Sequence, residues 1–182
     1  MSVSPAANPA QPDIPVGRSM GGSPRRRWLK AAAWIALSAA LAGGVIACYL
    51  AFENVRGETG VCTGVAKSCA TVQKSQYGEI LGVPVSVPGL ALYVTLVALA
   101  GAWLLDFAGR RPMWAALGFQ AALFGFVFSM YLTSVEAFVL DAWCVYCVAS
   151  ASLMTASLLA WGALLFGEVR HSRAEAAGTG SW

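Results

Sequence analysis

Charged residues are scarce in this sequence: only 12% of its 182 residues are Asp, Glu, Lys or Arg, and it has a single histidine. An ordinary soluble domain carries about 25% charged residues, so the composition excludes that class. The sequence has no internal repeat and no glycine-rich motif that would cradle phosphate, and so shows no sign of a repeat protein or a P-loop enzyme. Apolar residues dominate instead, with 58% hydrophobic residues and a mean hydropathy of +0.63.

The hydrophobic residues are concentrated in four long runs. Each run is long enough for a hydrocarbon core, which needs roughly 20 residues, and the four are Leu29–Phe52, Val87–Phe107, Met113–Phe138 and Trp143–Phe166. Backbone polar groups in lipid must be satisfied within their own segment, so these runs should be helices. The sequence therefore predicts an all-α fold, one transmembrane four-helix bundle over residues 28–167. Its only sizeable polar connection runs from Glu53 to Pro84.

Basic residues are distributed unevenly around these runs. Most lie on one side, at Arg18, Arg25, Arg26, Arg27, Lys30, Arg110, Arg111, Arg170 and Arg173, whereas the other side has only Arg56, Lys67 and Lys74. The positive-inside bias then places both termini in the cytoplasm and the polar connection outside. This topology accounts for the net charge of +3 without a nucleic-acid partner. We expect residues 1–27 to be a disordered cytoplasmic tail, because they include too few large apolar residues to fold. Residues 168–182 are expected to be a cytoplasmic C-terminal tail that is frayed over Ala174–Trp182.

The N-terminal region also resembles a cleaved lipoprotein signal. Arg25–Lys30 is similar to a twin-arginine motif, and Val45–Cys48 to a lipoprotein box, which would remove the first run and lipidate Cys48. The apolar run is longer than a usual signal core of about 7–15 residues. We therefore favour an uncleaved first helix in which Cys48 is a buried structural thiol.

Four of the five cysteines form two close pairs. Cys144 and Cys147 make a Cys-x-x-Cys at the start of the last run, with Asp141 as a candidate N-cap that would place Cys144 at the third helical position. Residues three apart on a helix are neighbours, so this pair can form a disulfide. The positive end of the helix dipole also favours a reactive thiolate there.

The second pair, Cys62 and Cys69, lies in the polar connection, on the outer side where disulfides persist. Ser68 can cap a short amphipathic helix from Cys69 to Leu81, stopped by Gly82 and Pro84. One thiol pair in a polar loop and another at the membrane edge suit electron transfer between a soluble thiol partner and a lipid-soluble acceptor. Considered alone, the loop pair is equally compatible with a static structural disulfide.

Two other interpretations of the cysteines remain. All four could hold zinc or an iron–sulfur cluster, although an oxidising compartment and the wide spacing of the first pair argue against a four-thiolate site. The single histidine, His171, is on the cytoplasmic side in the predicted topology and cannot contribute. Alternatively, the chain is a non-catalytic membrane scaffold whose cysteines form structural disulfides.

Several short segments together match a known family. They are the two cysteine pairs, Cys69–Ser75, the run Leu81–Ser86 leading to Gly89 and Tyr93, and Cys144-Val-Tyr-Cys147. On these segments residues 29–167 resemble the vitamin K epoxide reductase family, and in particular its bacterial members. The resemblance implies a four-helix bundle around a quinone of the menaquinone or ubiquinone type, with a periplasmic loop carrying a short half-helix. It further implies a protein of the bacterial inner membrane that reoxidises a separate periplasmic DsbA-like thioredoxin-fold protein, and we expect a monomer.

Carried over position by position, the resemblance assigns a role to each cysteine. Cys62 would meet the thiol partner, and Cys69 would relay electrons to Cys144. Cys147 would face the quinone. Ser75 matches the family serine on the lid helix.

The quinone requires an apolar pocket between helices. Side chains of suitable type are Tyr93, Phe124, Phe128 and Met154. Val85 and Ala151 stand where the animal enzymes carry an Asn and a Tyr that hydrogen-bond the naphthoquinone, so the resemblance does not extend to vitamin K epoxide as a substrate. Glu136 and Asp141 are the nearest carboxylates for supplying quinone protons, although the predicted membrane edge favours solvated interface residues at both positions.

Overall fold

The computed structural model describes residues 24–56, 79–80, 83–140 and 143–178. Four helices account for most of these residues: α1 (Pro24–Arg56), α2 (Ser86–Leu104), α3 (Arg111–Phe138) and α4 (Val145–Gly178). Two short strands, β1 (Glu79–Ile80) and β2 (Val83–Pro84), pair antiparallel before α2. Each of the four helices contains a segment long and apolar enough to cross a membrane. The predicted all-α transmembrane bundle is confirmed.

The helices pack as a ring. Helices that follow one another along the chain are in contact, and α4 closes the ring against α1. Alanines at Ala33, Ala36 and Ala40 lie fully buried along α1, at the spacing of one helix face. Large apolar side chains instead cover the outer surface, with Val45 70% exposed and Leu159 69% exposed. An apolar exterior around a small-residue interior is what a bundle in lipid requires.

Glycines bring the helices close together at two positions. A Cβ on Gly118 of α3 would overlap the indole of Trp161 on α4, and a Cβ on Gly43 of α1 would overlap the ring of Tyr93 on α2. Both rings are buried. Small residues at such crossings allow aromatic side chains to fill the centre of the bundle.

The connection between α2 and α3 explains why the second predicted run ends early as a helix. Asp106 and Ala108 have φ angles of 53° and 59°, in the left-handed region, so the helix cannot continue to Phe107. Arg111 then binds Asp106 through a 3.1 Å ion pair, and its guanidinium lies 5.3 Å from the Trp103 ring centroid. These contacts stabilise the α2–α3 turn, which lies at the end of the bundle where Arg110 and Arg111 are found.

Several expected boundaries differ from those of the structure. Helix α1 begins at Pro24 rather than Leu29, and α4 continues to Gly178, so residues 24–27 and 168–178 are helical. Ala174–Ala177 contains only alanine and glutamate, which extend an existing helix readily. The helix expected from Cys69 to Leu81 cannot include Glu79 and Ile80, which form β1. The N-terminal residues 1–23, Cys62, Cys69, Ser75, Asp141 and the rest of the predicted half-helix lie outside the described residues.

Helix α1 bears on the lipoprotein alternative. It is continuous through Cys48 and packs against both α2 and α4, so removing residues up to Ala47 would take away most of one side of the bundle. Cys48 itself is exposed rather than buried as expected. Its side chain lies in an apolar surface groove with Val94 and Val97, facing outward from the bundle.

Candidate functional site

The first residue of the candidate site is Cys144, which immediately precedes α4. Its carbonyl accepts a 3.0 Å hydrogen bond from the Val148 amide, the first backbone bond of the helix. Cys144 is therefore the N-cap residue, not the third helical residue that an Asp141 cap predicted, and Cys147 occupies the third position. Cys144 is 0% exposed, whereas Cys147 is partly exposed.

Glu136, from the end of α3, occupies the place at the start of α4 that the sequence suggested for Asp141. Its Oε2 accepts a 3.1 Å hydrogen bond from the Cys144 amide. A carboxylate at a helix N-terminus satisfies an unpaired amide and interacts favourably with the helix dipole. The expectation of a solvated residue is wrong here, because Glu136 is only 1% exposed. The last turn of α3 lies against the start of α4, and this contact buries the side chain.

The two cysteines and Glu136 form one cluster. The Cys147 thiol lies next to the side chains of both Cys144 and Glu136, close enough to interact with each. A Cys-x-x-Cys at a helix N-terminus is the arrangement used for thiol–disulfide exchange, since the thiolate is the reacting species and the helix dipole stabilises it. The cluster therefore places a buried carboxyl group beside the two cysteines.

A cavity reaches Cys147 from the centre of the bundle. The cavity has a volume of about 110 Å³, which is several times the volume that a single buried water needs. All four helices contribute to its wall, with Ile46 and Leu50 from α1, Leu92 and Tyr93 from α2, Phe128 and Leu132 from α3, and Cys147, Ser150 and Met154 from α4. The wall is mostly apolar, with a few hydroxyl groups and one thiol.

Tyr93 joins two helices that are opposite in the ring. Its hydroxyl lies 2.8 Å from the Ser150 Oγ and donates a 3.1 Å hydrogen bond to the Ser150 carbonyl. Ser150 is three residues after Cys147, so this contact lies one turn below the thiol on the cavity wall. The Tyr93–Ser150 pair provides the cavity with polar atoms that can exchange hydrogen bonds with a carbonyl-bearing ligand.

The structure places three of the four suggested pocket side chains at this cavity. Tyr93, Phe128 and Met154 line it, but Phe124 is 68% exposed on the outside of α3 and does not. Helix α3 is apolar on nearly all sides, so residue type alone could not identify its inner face. The lining positions Gly125, Phe128 and Leu132 define that face instead.

Two further positions bear on the ligand. Val85 lines the cavity with an apolar side chain, and Ala151 is buried without reaching it. The sequence interpretation passed over Ser129 and Thr133, which add hydroxyl groups to the wall. Their four-residue spacing on α3 was a usable signal, as was the single acidic residue, Glu136, inside the third membrane span.

Comparison with protein-family models gives one match. The model described as the vitamin K epoxide reductase family matches residues 34–161, well over half of the chain. The chain belongs to the vitamin K epoxide reductase family. The matched residues include α2, α3 and the start of α4, and therefore the Cys144–Cys147 motif and most of the cavity wall. No individually curated protein matches the chain.

Membership of the vitamin K epoxide reductase family makes this chain a multi-pass membrane thiol–disulfide oxidoreductase linked to a quinone. The residues of the cavity fit such a group. A quinone ring is flat and apolar with two carbonyl oxygens, and the cavity provides apolar walls, the Tyr93 and Ser150 hydroxyls, and a thiol at one end. When bound there, a quinone supplies a two-electron acceptor, and Cys147 is the cysteine of the described residues that the cavity contacts.

Proposed function

We propose that this protein oxidises a periplasmic DsbA-like thioredoxin-fold protein and passes the electrons through two cysteine pairs to a quinone, thereby supporting disulfide-bond formation. The observation that carries the proposal is the position of Cys147. It belongs to a Cys-x-x-Cys at the start of a helix and also lines the cavity shared by all four helices. A dithiol that contacts an apolar cavity in the membrane can reduce a lipid-soluble acceptor.

The burial of Cys144 supports a relay within the chain. A thiol with 0% exposure cannot be attacked directly by a soluble protein partner. It can exchange with a cysteine of the same chain, and Cys69 is assigned that role, with Cys62 meeting the partner. Ser75 is assigned to the lid. The native quinone is proposed to be of the menaquinone or ubiquinone type, bound beside Tyr93 and Met154.

The proposed location is the bacterial inner membrane with both termini in the cytoplasm. The arginines at the start of α1, in the α2–α3 turn and near the end of α4 would then share the cytoplasmic side. Reporter fusions after Gly109 and after Val169 should therefore report the cytoplasm, and a fusion near Gly64 the exterior. A processed N-terminus at a lipid-modified Cys48 would contradict this topology.

The function is tested with the full-length protein in lipid nanodiscs that contain ubiquinone or menaquinone. A reduced DsbA-like protein is added, and quinol formation and partner thiols are measured together. We expect one quinone reduced for each partner dithiol oxidised, in the wild type and equally in Cys48→Ala, whose thiol lies on the outer surface. Partner oxidation without quinol formation would contradict the proposal.

The same preparation tests the other two interpretations. A stoichiometric zinc or iron content in the purified protein would favour a four-thiolate metal site. Cysteines that cannot be reversibly reduced and reoxidised by thiol titration would favour a scaffold with structural disulfides.

A further inference from the structure

Glu136 is a buried carboxylate with spare hydrogen-bonding capacity. It is 1% exposed, and while Oε2 accepts the Cys144 amide, Oε1 has no hydrogen-bond partner among the described residues. Buried polar atoms are nearly always paired, and a buried charge without a counter-ion is costly. No described Lys or Arg forms an ion pair with Glu136. An acidic side chain that is buried without a counter-ion inside a membrane span usually has a function, so Glu136 calls for a functional explanation.

The surroundings of Glu136 indicate which proton it handles. From α4, the titratable group facing it is the thiol of Cys147, which in turn lies beside the thiol of Cys144. The other described titratable side chains at this end or along the cavity include Tyr49 and Glu53 of α1, Tyr93 of α2 and Tyr146 of α4. The Tyr49 ring packs against Tyr146, and the Tyr93 hydroxyl is engaged by Ser150. The Cys147 thiol is thus the proton donor that the structure brings to the carboxylate.

We propose that Glu136 is the proton carrier of the Cys144–Cys147 dithiol, taking the thiol proton from Cys147 and returning it on the side of the electron acceptor. The inference rests on the proposed function only in naming a quinone as that acceptor. Its basis is the cluster itself, in which a fully buried carboxylate touches both the amide before α4 and the thiol that lines the cavity.

The proton and electron balance assigns Glu136 two transfers in each turnover. When the dithiol is oxidised, Cys144 and Cys147 lose two protons and two electrons and gain one S–S bond. Glu136 as a carboxylate accepts the Cys147 proton as the thiolate forms, and as a carboxylic acid it releases that proton. It can then accept the second proton, which Cys144 passes to it through Cys147, the thiol that lies beside both groups. Two electrons and two protons reach the quinone, which becomes quinol, so no further oxidant or acid is needed.

A purely structural role for Glu136 predicts a different behaviour. Its hydrogen bond to the Cys144 amide requires only an oxygen acceptor, which the amide of glutamine also provides. Glu136→Gln therefore keeps the cap and removes the proton-carrying group. Glu53→Gln is the matched control, because it removes a carboxylate from the end of α1 on the same side of the membrane without touching the cluster.

The test compares these variants as full-length proteins in nanodiscs by two readouts. The first is the alkylation rate of Cys147 in the reduced, quinone-free protein across pH, resolved by peptide mass spectrometry. A carboxylate disfavours a neighbouring thiolate, so Glu136→Gln should speed alkylation at lower pH by roughly three- to tenfold. The second is quinol formation driven by dithiothreitol, which should fall by about 100-fold or more, the usual loss when a general acid–base group is removed. Glu53→Gln should match the wild type in both.

An alkylation profile that shifts to lower pH with an unchanged rate at high pH, combined with slower quinol formation, supports the proposal, because looser packing around Cys147 would instead raise the alkylation rate at every pH. Unchanged rates in both readouts, or a decrease in both together with a lower melting temperature, would show that Glu136 only caps α4 and would overturn the inference. If Glu136→Gln does not fold, Glu136→Asp replaces it, because aspartate retains a carboxyl group. We expect Glu136→Asp to keep part of the wild-type rate of quinol formation and an alkylation profile near that of the wild type. A loss of all quinol formation, or an altered alkylation profile, would overturn the inference. Should the wild type form no quinol, the proposed function fails, while the alkylation comparison still tests the coupling between Glu136 and the thiol.

Discussion

Replacing Cys147 with alanine should abolish quinone reduction with every reductant, protein or small molecule. Cys147 is the cysteine of the described residues that lines the cavity, so its removal leaves no dithiol in contact with a bound acceptor. The expected loss is about 1,000-fold or more, as is usual when a reacting nucleophile is removed. Quinol formation in nanodiscs is measured with the reduced DsbA-like partner and, separately, with dithiothreitol.

Cys62→Ala is the informative comparison for this prediction. Cys62 is proposed to meet the protein partner, so its removal should block the partner-driven reaction. Dithiothreitol, which can attack the partly exposed Cys147 sulfur, should still reduce the Cys144–Cys147 disulfide near the wild-type rate. Cys48→Ala should be unaffected with both reductants, because that thiol faces outward from α1. Equal losses for Cys62→Ala and Cys147→Ala with dithiothreitol would contradict the relay.

The second large effect that we expect is the accumulation of a Cys69–Cys144 disulfide in the Cys147→Ala protein. Exchange passes through a mixed disulfide, and Cys147 is proposed to be the thiol that resolves a bond between Cys69 and Cys144. In Cys147→Ala that bond should accumulate until it is the main disulfide of the protein. Mass spectrometry of the nonreduced protein should then show the loop peptide joined to the peptide that begins α4.

The burial of Cys144 makes this crosslink specific. A thiol that is 0% exposed should not form disulfides with soluble thiols, so glutathione added at millimolar concentration should not trap it. Wild-type protein treated identically provides the control. Recovery of only a Cys62–Cys69 disulfide under repeated cycles of reductant and quinone would mean that the loop pair is structural, and the proposed electron path would be wrong.

Much of the fold was readable from the sequence because lipid imposes a simple rule. Four runs of about 20 apolar residues must be helices when every backbone group has to be satisfied internally. The Cys-x-x-Cys at the start of the last run was also identifiable from its spacing alone. The helix ends were less predictable, because the left-handed conformations of Asp106 and Ala108 and the extension of α4 depend on local interactions rather than on hydropathy.

The composition and the order of residues in this protein determine its membrane class, its number of spans and the place of its Cys-x-x-Cys motif at the start of the last span. Only the tertiary structure decided which side chains surround them. Phe124 and Phe128 are equally apolar, yet packing against neighbouring helices exposes the first and places the second in the cavity. In the sequence Glu136 resembles a solvated residue at the membrane edge, but the packing of α3 against the start of α4 buries it beside Cys144 and Cys147. Hydropathy reports how much a segment prefers lipid, whereas the direction of each side chain is set by the contacts that the other helices provide.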